Sequence, residues 1–170
     1  VKLSPRDSEC HNTLGVTLTG LGRRKEAIAS FNKAISLDPK NIMVYNNLGI
    51  ALKDEDRIEE AIRIYKHGIT LKPDFVLAHY NLGIIYQALN KIEDAEECYR
   101  KAIKLKPDFA EAYSYLGCIM YDKGDESSAL DCFRKSLSFK PDLIISKVRL
   151  NIVNSRKSRG QLLEKTNVNE

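Results

Sequence analysis

Every proline in this 170-residue chain falls on one period: Pro5, Pro39, Pro73, Pro107 and Pro141, each 34 residues from the next. Proline lacks a backbone donor and ends helices, so a single globule has no reason to place all five on one spacing. The length alone would suit one ordinary domain, but the spacing replaces that expectation with a tandem repeat. Other classes drop out on composition. There is no run of 18 apolar residues to span a membrane, and no basic start with an apolar core and small-residue cleavage site to mark secretion. The four cysteines form no CxxC pair, which argues against a disulfide framework or zinc site and for a reducing, intracellular compartment, cytoplasmic or nuclear.

Registering the chain on its prolines aligns further columns. Glycine recurs at Gly15, Gly49, Gly83 and Gly117, each after a leucine: Leu14, Leu48, Leu82 and Leu116. Alanine recurs at Ala27, Ala61, Ala95 and Ala129, with an aromatic four residues later at Phe31, Tyr65, Tyr99 and Phe133. Small residues follow at Ala34, Gly68, Ala102 and Ser136. A helical glycine costs about 1 kcal/mol against alanine, so four in register imply that a Cβ there would strike a neighbouring helix.

The breakers set the helix limits. A first helix is expected over about 8–21, 42–55, 76–89 and 110–123, each followed by Gly22, Asp56, Asn90 or Gly124, residues suited to the left-handed conformation that ends a helix. A second helix is expected over 24–37, 58–71, 92–105 and 126–139. It stops two residues before each proline, because the residue preceding proline is pushed out of the helical region. The half-buried spacing Ala95, Tyr99, Ala102, Ile103 is that of an amphipathic helix. The predicted fold is all-α: antiparallel helix pairs repeated with a 34-residue period.

Tyr45-x-x-Leu48-Gly49, Ala61-x-x-x-Tyr65 and Pro73, with most of the same columns in the other units, resemble the tetratricopeptide repeat over roughly residues 3–143. His11 and His79 depart from that pattern where the first aromatic is usual, and Leu18, Leu52 and Met120 where the second is, which Tyr86 keeps. The resemblance implies a right-handed α-solenoid of four repeats, 8–41, 42–75, 76–109 and 110–143, with a C-terminal capping helix. Residues 1–7 resemble the end of a preceding repeat, since Lys2-Leu3-Ser4-Pro5 matches Ser36-Leu37-Asp38-Pro39, and imply a fragment of a longer array. A capping helix is expected over 144–158 and a polar tail over 159–170. Lys147, Asn151 and Asn154 stand where a following helix would dock, and Leu150 and Val153 remain for packing backwards, the polarity of a terminal cap.

Residues 1–143 hold 21 Lys/Arg and 21 Asp/Glu, whereas 144–170 hold 6 and 2, so the whole net charge of +4 lies in the last segment. Balanced repeats do not suggest a nucleic-acid groove, and Arg156-Lys157-Ser158-Arg159 reads first as the solvated end of a cap. No cofactor, metal or catalytic site is expected. His11 and His79 share a packing column two repeats apart, too far to hold one ion whose ligands lie at about 2 Å. Cys98 and Cys132 share a column in adjacent repeats, with two helices separating their backbones beyond the ~7 Å Cα limit of a disulfide.

The resemblance implies that the first helices line a concave groove. Removing the packing columns leaves three rows on those helices. One is apolar: Val16, Ile50, Ile84, Cys118 and Ile152. A second is Asn12, Asn46, Tyr80 and Ser114, turning to Val148, and a third is Thr13, Asn47, Asn81 and Tyr115. Met43, Leu77 and Tyr121 widen the apolar patch. An asparagine amide both donates and accepts, so spaced asparagines suit the backbone of an extended peptide whatever its sequence.

The expected function is therefore a non-catalytic protein-interaction scaffold. Its peptide groove comprises Asn12, Asn46, Asn47, Ile50, Leu77, Tyr80, Asn81, Ile84 and Tyr115, and replacing Asn47 and Asn81 should weaken binding with little loss of stability. Repeats of this family that grip chaperone C-termini use cations for the carboxylates. The comparable positions Asn12, Val16, Asn47, Leu77 and Asn81 hold none, and the next window brings Ile50, Glu111 and Tyr115, so no such clamp is expected. The Asn47-Leu48-Gly49 and Asn81-Leu82-Gly83 runs also resemble the superhelical arrays of O-GlcNAc transferase-like proteins, which implies an alternative as the substrate-recruiting segment of a larger enzyme. Self-association through the open N-terminal end is a further expectation.

Overall fold

The computed structural model describes the backbone of residues 7–167 and the side chains of residues 7–155. Among the described residues there are nine α-helices and no strand, in two compact units. Unit 1 contains α1 (Ser8–Gly20), α2 (Arg24–Leu37), α3 (Ile42–Asp54), α4 (Ile58–Leu71) and α5 (Val76–Ala88). Unit 2 contains α6 (Ile92–Leu105), α7 (Ala110–Asp122), α8 (Glu126–Phe139) and α9 (Ile144–Asn167). The compact units thus cut within the 76–109 repeat frame, assigning its two helices to different units. The proposed remnant Lys2-Leu3-Ser4-Pro5 lies outside the described residues. Helix α9 continues past the expected end at residue 158, and the side chains of the Arg156-Lys157-Ser158-Arg159 cluster lie outside the described residues.

The chain reverses by two devices, each repeated. At the first, Gly22, Asp56, Asn90 and Gly124 all take positive φ (74°, 59°, 57° and 84°), as their residue types predict. The following amide then reaches back: Arg23 N–H donates to Leu18 at 2.9 Å, Arg57 to Leu52 at 2.9 Å, Lys91 to Tyr86 at 2.8 Å and Asp125 to Met120 at 2.9 Å. This six-to-one bond satisfies carbonyls that the helix end would orphan. At the second, Asp38, Lys72 and Lys140 are held near φ −140° by the following proline, so the helix stops there. Left-handed backbone strains any residue with a Cβ by about 1 kcal/mol. Asp56→Gly should therefore raise stability in urea unfolding by roughly 0.5–1 kcal/mol, and Gly22→Ala should lower it by a similar amount. Equal signs for the two would contradict the turn geometry.

Packing follows the aligned columns. In unit 1, α1 packs on α2, α3 on α4, and the pairs join through α2–α3 and α4–α5. Phe31 and Tyr65 are fully buried against Gly15 and Gly49, so close that a Cβ on either glycine would collide with the ring. In unit 2, Phe133 sits in the same way on Gly117. Tyr65 carries a cost that Phe31 and Phe133 lack: its hydroxyl is buried without a partner among the described residues, and burial raises its pKa.

The variable first-aromatic column also has a reason. Tyr45 Oη donates to the Pro39 carbonyl at 3.0 Å, and His79 Nε2 lies 3.1 Å from the equivalent Pro73 carbonyl. A carbonyl only accepts, so the Nε2–H tautomer reproduces the tyrosine's bond, and a histidine serves in this column as the tyrosine does. Helix α9 docks on α8, where the Ser146 hydroxyl donates to Ser136 Oγ at 2.8 Å in a fully buried pair, and Val153, two turns further along α9, is buried too. Lys147, Asn151 and Asn154 are exposed. Leu14 is partly exposed, whereas its column mates Leu48, Leu82 and Leu116 are buried. No helix among the described residues is long and apolar enough to cross a membrane.

Candidate functional site

In unit 1 the first helices α1, α3 and α5 lie side by side, which brings rows two and three of neighbouring helices together. Asn47 Nδ2 donates to Asn12 Oδ1 at 2.9 Å, and Asn81 Nδ2 donates to Asn46 Oδ1 at 3.0 Å. Both pairs are 35 residues apart, one more than the repeat. Asn46 Nδ2 also lies 3.5 Å from Asn47 Oδ1, and Asn12 Nδ2 lies 3.4 Å from Glu9 Oε1, so the amides form a chain across the three helices.

This arrangement divides the four asparagines. Asn12 and Asn46 are buried, and the short bonds they accept place them as supports. Asn47 and Asn81 are half-buried. Each retains a second amide hydrogen that forms no bond to the described residues, and so does the Asn81 carbonyl oxygen. The amides are therefore not the idle donors that the row pattern suggests. Removing one breaks a bond between helices, so the expected negligible effect on stability becomes a loss of about 1 kcal/mol per amide.

The apolar candidates fall beside this chain. Ile50, Leu77, Tyr80 and Ile84 are half-buried, while Val16 and Met43 are exposed. Tyr115 belongs to unit 2, where its ring stacks on the buried Tyr99 at 5.5 Å between centroids and 22° between planes. The same unit holds the remaining rows: Cys118 and Ser114 are buried, and Val148 and Ile152 are exposed on α9.

Arg149 stands outside the three rows as the sequence pattern draws them. It extends the Asn47–Asn81–Tyr115 row by one more step of 34, a register visible in the sequence had the row been carried into the cap. Its guanidinium lies 5.7 Å from the Tyr121 ring centroid. Burial pushes the Cys118 thiol above its ordinary pKa, and the neighbouring Arg149 charge opposes that rise.

The histidines sit apart: His67 packs its ring 5.2 Å from Tyr45, and His79 caps the Pro73 carbonyl. No group of three or more His, Cys, Asp or Glu able to hold a metal occurs among the described residues, and none of the four cysteines is in a disulfide there.

Comparisons with known proteins agree with this geometry. The family models described as Tetratricopeptide repeat match residues 76–109 and 110–143, and the model described as TPR repeat matches 18–56 and 51–90. No curated protein matches the sequence. Among solved structures, a crystal structure of MamA is 31% identical, with a TM-score of 0.72 over 82% of this chain and 82% of that one. MamA from Desulfovibrio magneticus RS-1 is 24% identical, with a TM-score of 0.68 over 82% and 78%. Pseudomonas aeruginosa pilF is 17% identical, with a TM-score of 0.81 over 89% and 69%, and shares the fold alone.

Proposed function

The chain belongs to the tetratricopeptide repeat family and is thus a protein-interaction scaffold, and from that premise we propose that the first helices of unit 1 bind an extended segment of a partner protein. The observation that carries this reading is the amide chain. By tying Asn47 to Asn12 and Asn81 to Asn46, it holds two side-chain amides in fixed orientations with hydrogen-bonding capacity left over. Polar groups ordered before binding spare the complex the entropy of ordering them.

The spacing suits an extended peptide. Neighbouring helices are roughly 8–10 Å apart and an extended strand advances about 3.3 Å per residue, so Asn47 and Asn81 would meet main-chain groups about three residues apart. Ile50, Leu77, Tyr80 and Ile84 border the amides and would take side chains. Tyr115 offers an aromatic surface of the same kind in unit 2.

The test begins by selecting amidated random octapeptides on the whole chain. Affinity for a selected peptide is then measured by fluorescence anisotropy for the wild type, Asn47→Ala, Asn81→Ala and the double variant. At about 1 kcal/mol per lost bond, each single change should weaken binding roughly fivefold and the pair roughly 30-fold. The folded double variant binding at wild-type affinity would refute the reading.

A second reading rests on the same Asn-Leu-Gly runs, in which the array recruits substrates for a glycosyltransferase domain of the O-GlcNAc transferase kind. Sequencing the parent gene beyond residues 1 and 170 decides it: a sugar-nucleotide domain would support it, and its absence would dismiss it.

A further inference from the structure

Helix α9 presents two solvent-facing flanks of opposite character. One carries Lys147, Asn151 and Asn154, the polar surface of a cap. The other, at positions i, i+3, i+4 and i+7, carries Ile145, Val148, Arg149 and Ile152. The three aliphatic residues are 43%, 51% and 39% exposed, a contiguous apolar strip that solvation alone would not select. Arg149 is the lone charge within it.

Among the described residues that charge has no acidic partner. In unit 1 the asparagine at Asn46 has its partner 35 positions on, at Asn81. The same relation in unit 2 joins Ser114 to Arg149, but Ser114 is 1% exposed and its hydroxyl has no partner among the described residues, so this rung is not made. Arg149 forms no ion pair there either. Glu111, the acid on the groove side of α7, is taken by Lys140 at 2.9 Å, and Asp122, which acts on the same Cys118 thiol, makes no ion pair with Arg149. What Arg149 has instead is the face of Tyr121 and the neighbouring Cys118 thiol, and neither neutralises the guanidinium.

We propose that this flank of α9 is a docking site for a peptide whose aspartate or glutamate side chain, set between apolar residues, pairs with Arg149 while its neighbours cover Ile145, Val148 and Ile152. Charge complementarity selects the carboxylate, because a guanidinium resting on an aromatic face with no acid to neutralise it offers five donors that a carboxylate matches. The apolar strip selects a peptide over a purely phosphate-bearing ligand, which would leave those side chains in water. The choice of a peptide rests on the scaffold reading above; the choice of the acidic residue does not.

The same octapeptide selection tests it, run on the whole wild-type chain, Arg149→Gln and the Asn47→Ala/Asn81→Ala double variant. The wild type should enrich Asp or Glu flanked by apolar residues, and Arg149→Gln should lose the acidic enrichment only. For one selected peptide, exchange of its acid for the amide should weaken wild-type binding about five- to tenfold and leave the Arg149→Gln affinity unchanged. Exchange of the acid for lysine should weaken the wild type further, a comparison that needs no protein variant. Arg149→Lys should keep part of the preference. Wild-type selection without acidic enrichment, or acidic enrichment that survives Arg149→Gln, would overturn the proposal. Loss of binding confined to the asparagine double variant supports the unit 1 groove and overturns α9 docking, whereas loss of acid preference confined to Arg149→Gln does the reverse.

Discussion

Replacing Gly49 with alanine is expected to destabilise the protein by about 2 kcal/mol, a loss of roughly 4–8 °C in Tm, although the same exchange on an open helix face is favourable. Two effects oppose each other. Alanine gains about 1 kcal/mol over glycine in helix propensity. The new Cβ, however, would lie 2.6 Å from Tyr65 Cε1 and 2.8 Å from Cε2, on a ring that is fully buried and cannot swing away. Overpacking of this kind costs more than propensity returns. Gly20 is the control, because nothing lies within 4 Å of a Cβ built there. Gly20→Ala should gain a few tenths to about 1 kcal/mol. Urea unfolding of both variants reads the difference. Gly49→Ala as stable as the wild type would show that α3 and α4 can separate at little cost, contrary to the packing described.

Val153→Asp should be more damaging still, costing on the order of 4 kcal/mol and releasing α9 from α8. Val153 is completely buried and lies seven residues, about two turns, beyond the Ser146–Ser136 hydrogen bond on the same face of α9, so the introduced carboxylate is withdrawn from water. Its pKa would be raised by burial, so the penalty is smallest in acid, where the group is protonated, and grows as the pH rises through that raised value. Hydrogen exchange should show amides of α9 losing protection while α7 and α8 keep theirs. The exposed Asn151→Asp, two residues away on the polar flank, should change stability by less than about 0.5 kcal/mol. Retained protection across α9 in Val153→Asp would mean that the helix is held by something other than this seam.

Much of the architecture was legible because the residues that end helices act locally. A proline constrains the residue before it, and a left-handed turn demands glycine, asparagine or aspartate, so the second helices begin and end where the pattern placed them. The glycine and aromatic columns were legible for a related reason: a helical glycine is unfavourable unless something presses on it. Candidate site residues were harder. Asn12, Asn46, Asn47 and Asn81 stood out as a polar set, but their division into buried supports and half-buried donors was hidden, because it depends on which row of one helix faces which row of the next. Arg149 was overlooked because it lies in the cap, where the repeat pattern has ended but the register continues.

Sequence alone determined an all-α chain of helix pairs with a 34-residue period, the turns that join them and the columns that pack, since each follows from interactions within a few residues or from a steric demand that recurs. Only the tertiary structure decided that the asparagines are bonded to one another 35 residues apart, that Ser114 leaves its rung unmade and that Arg149 is left without an acid. Those outcomes depend on distances between side chains on different helices, and the period fixes which residues are equivalent without fixing which of them meet.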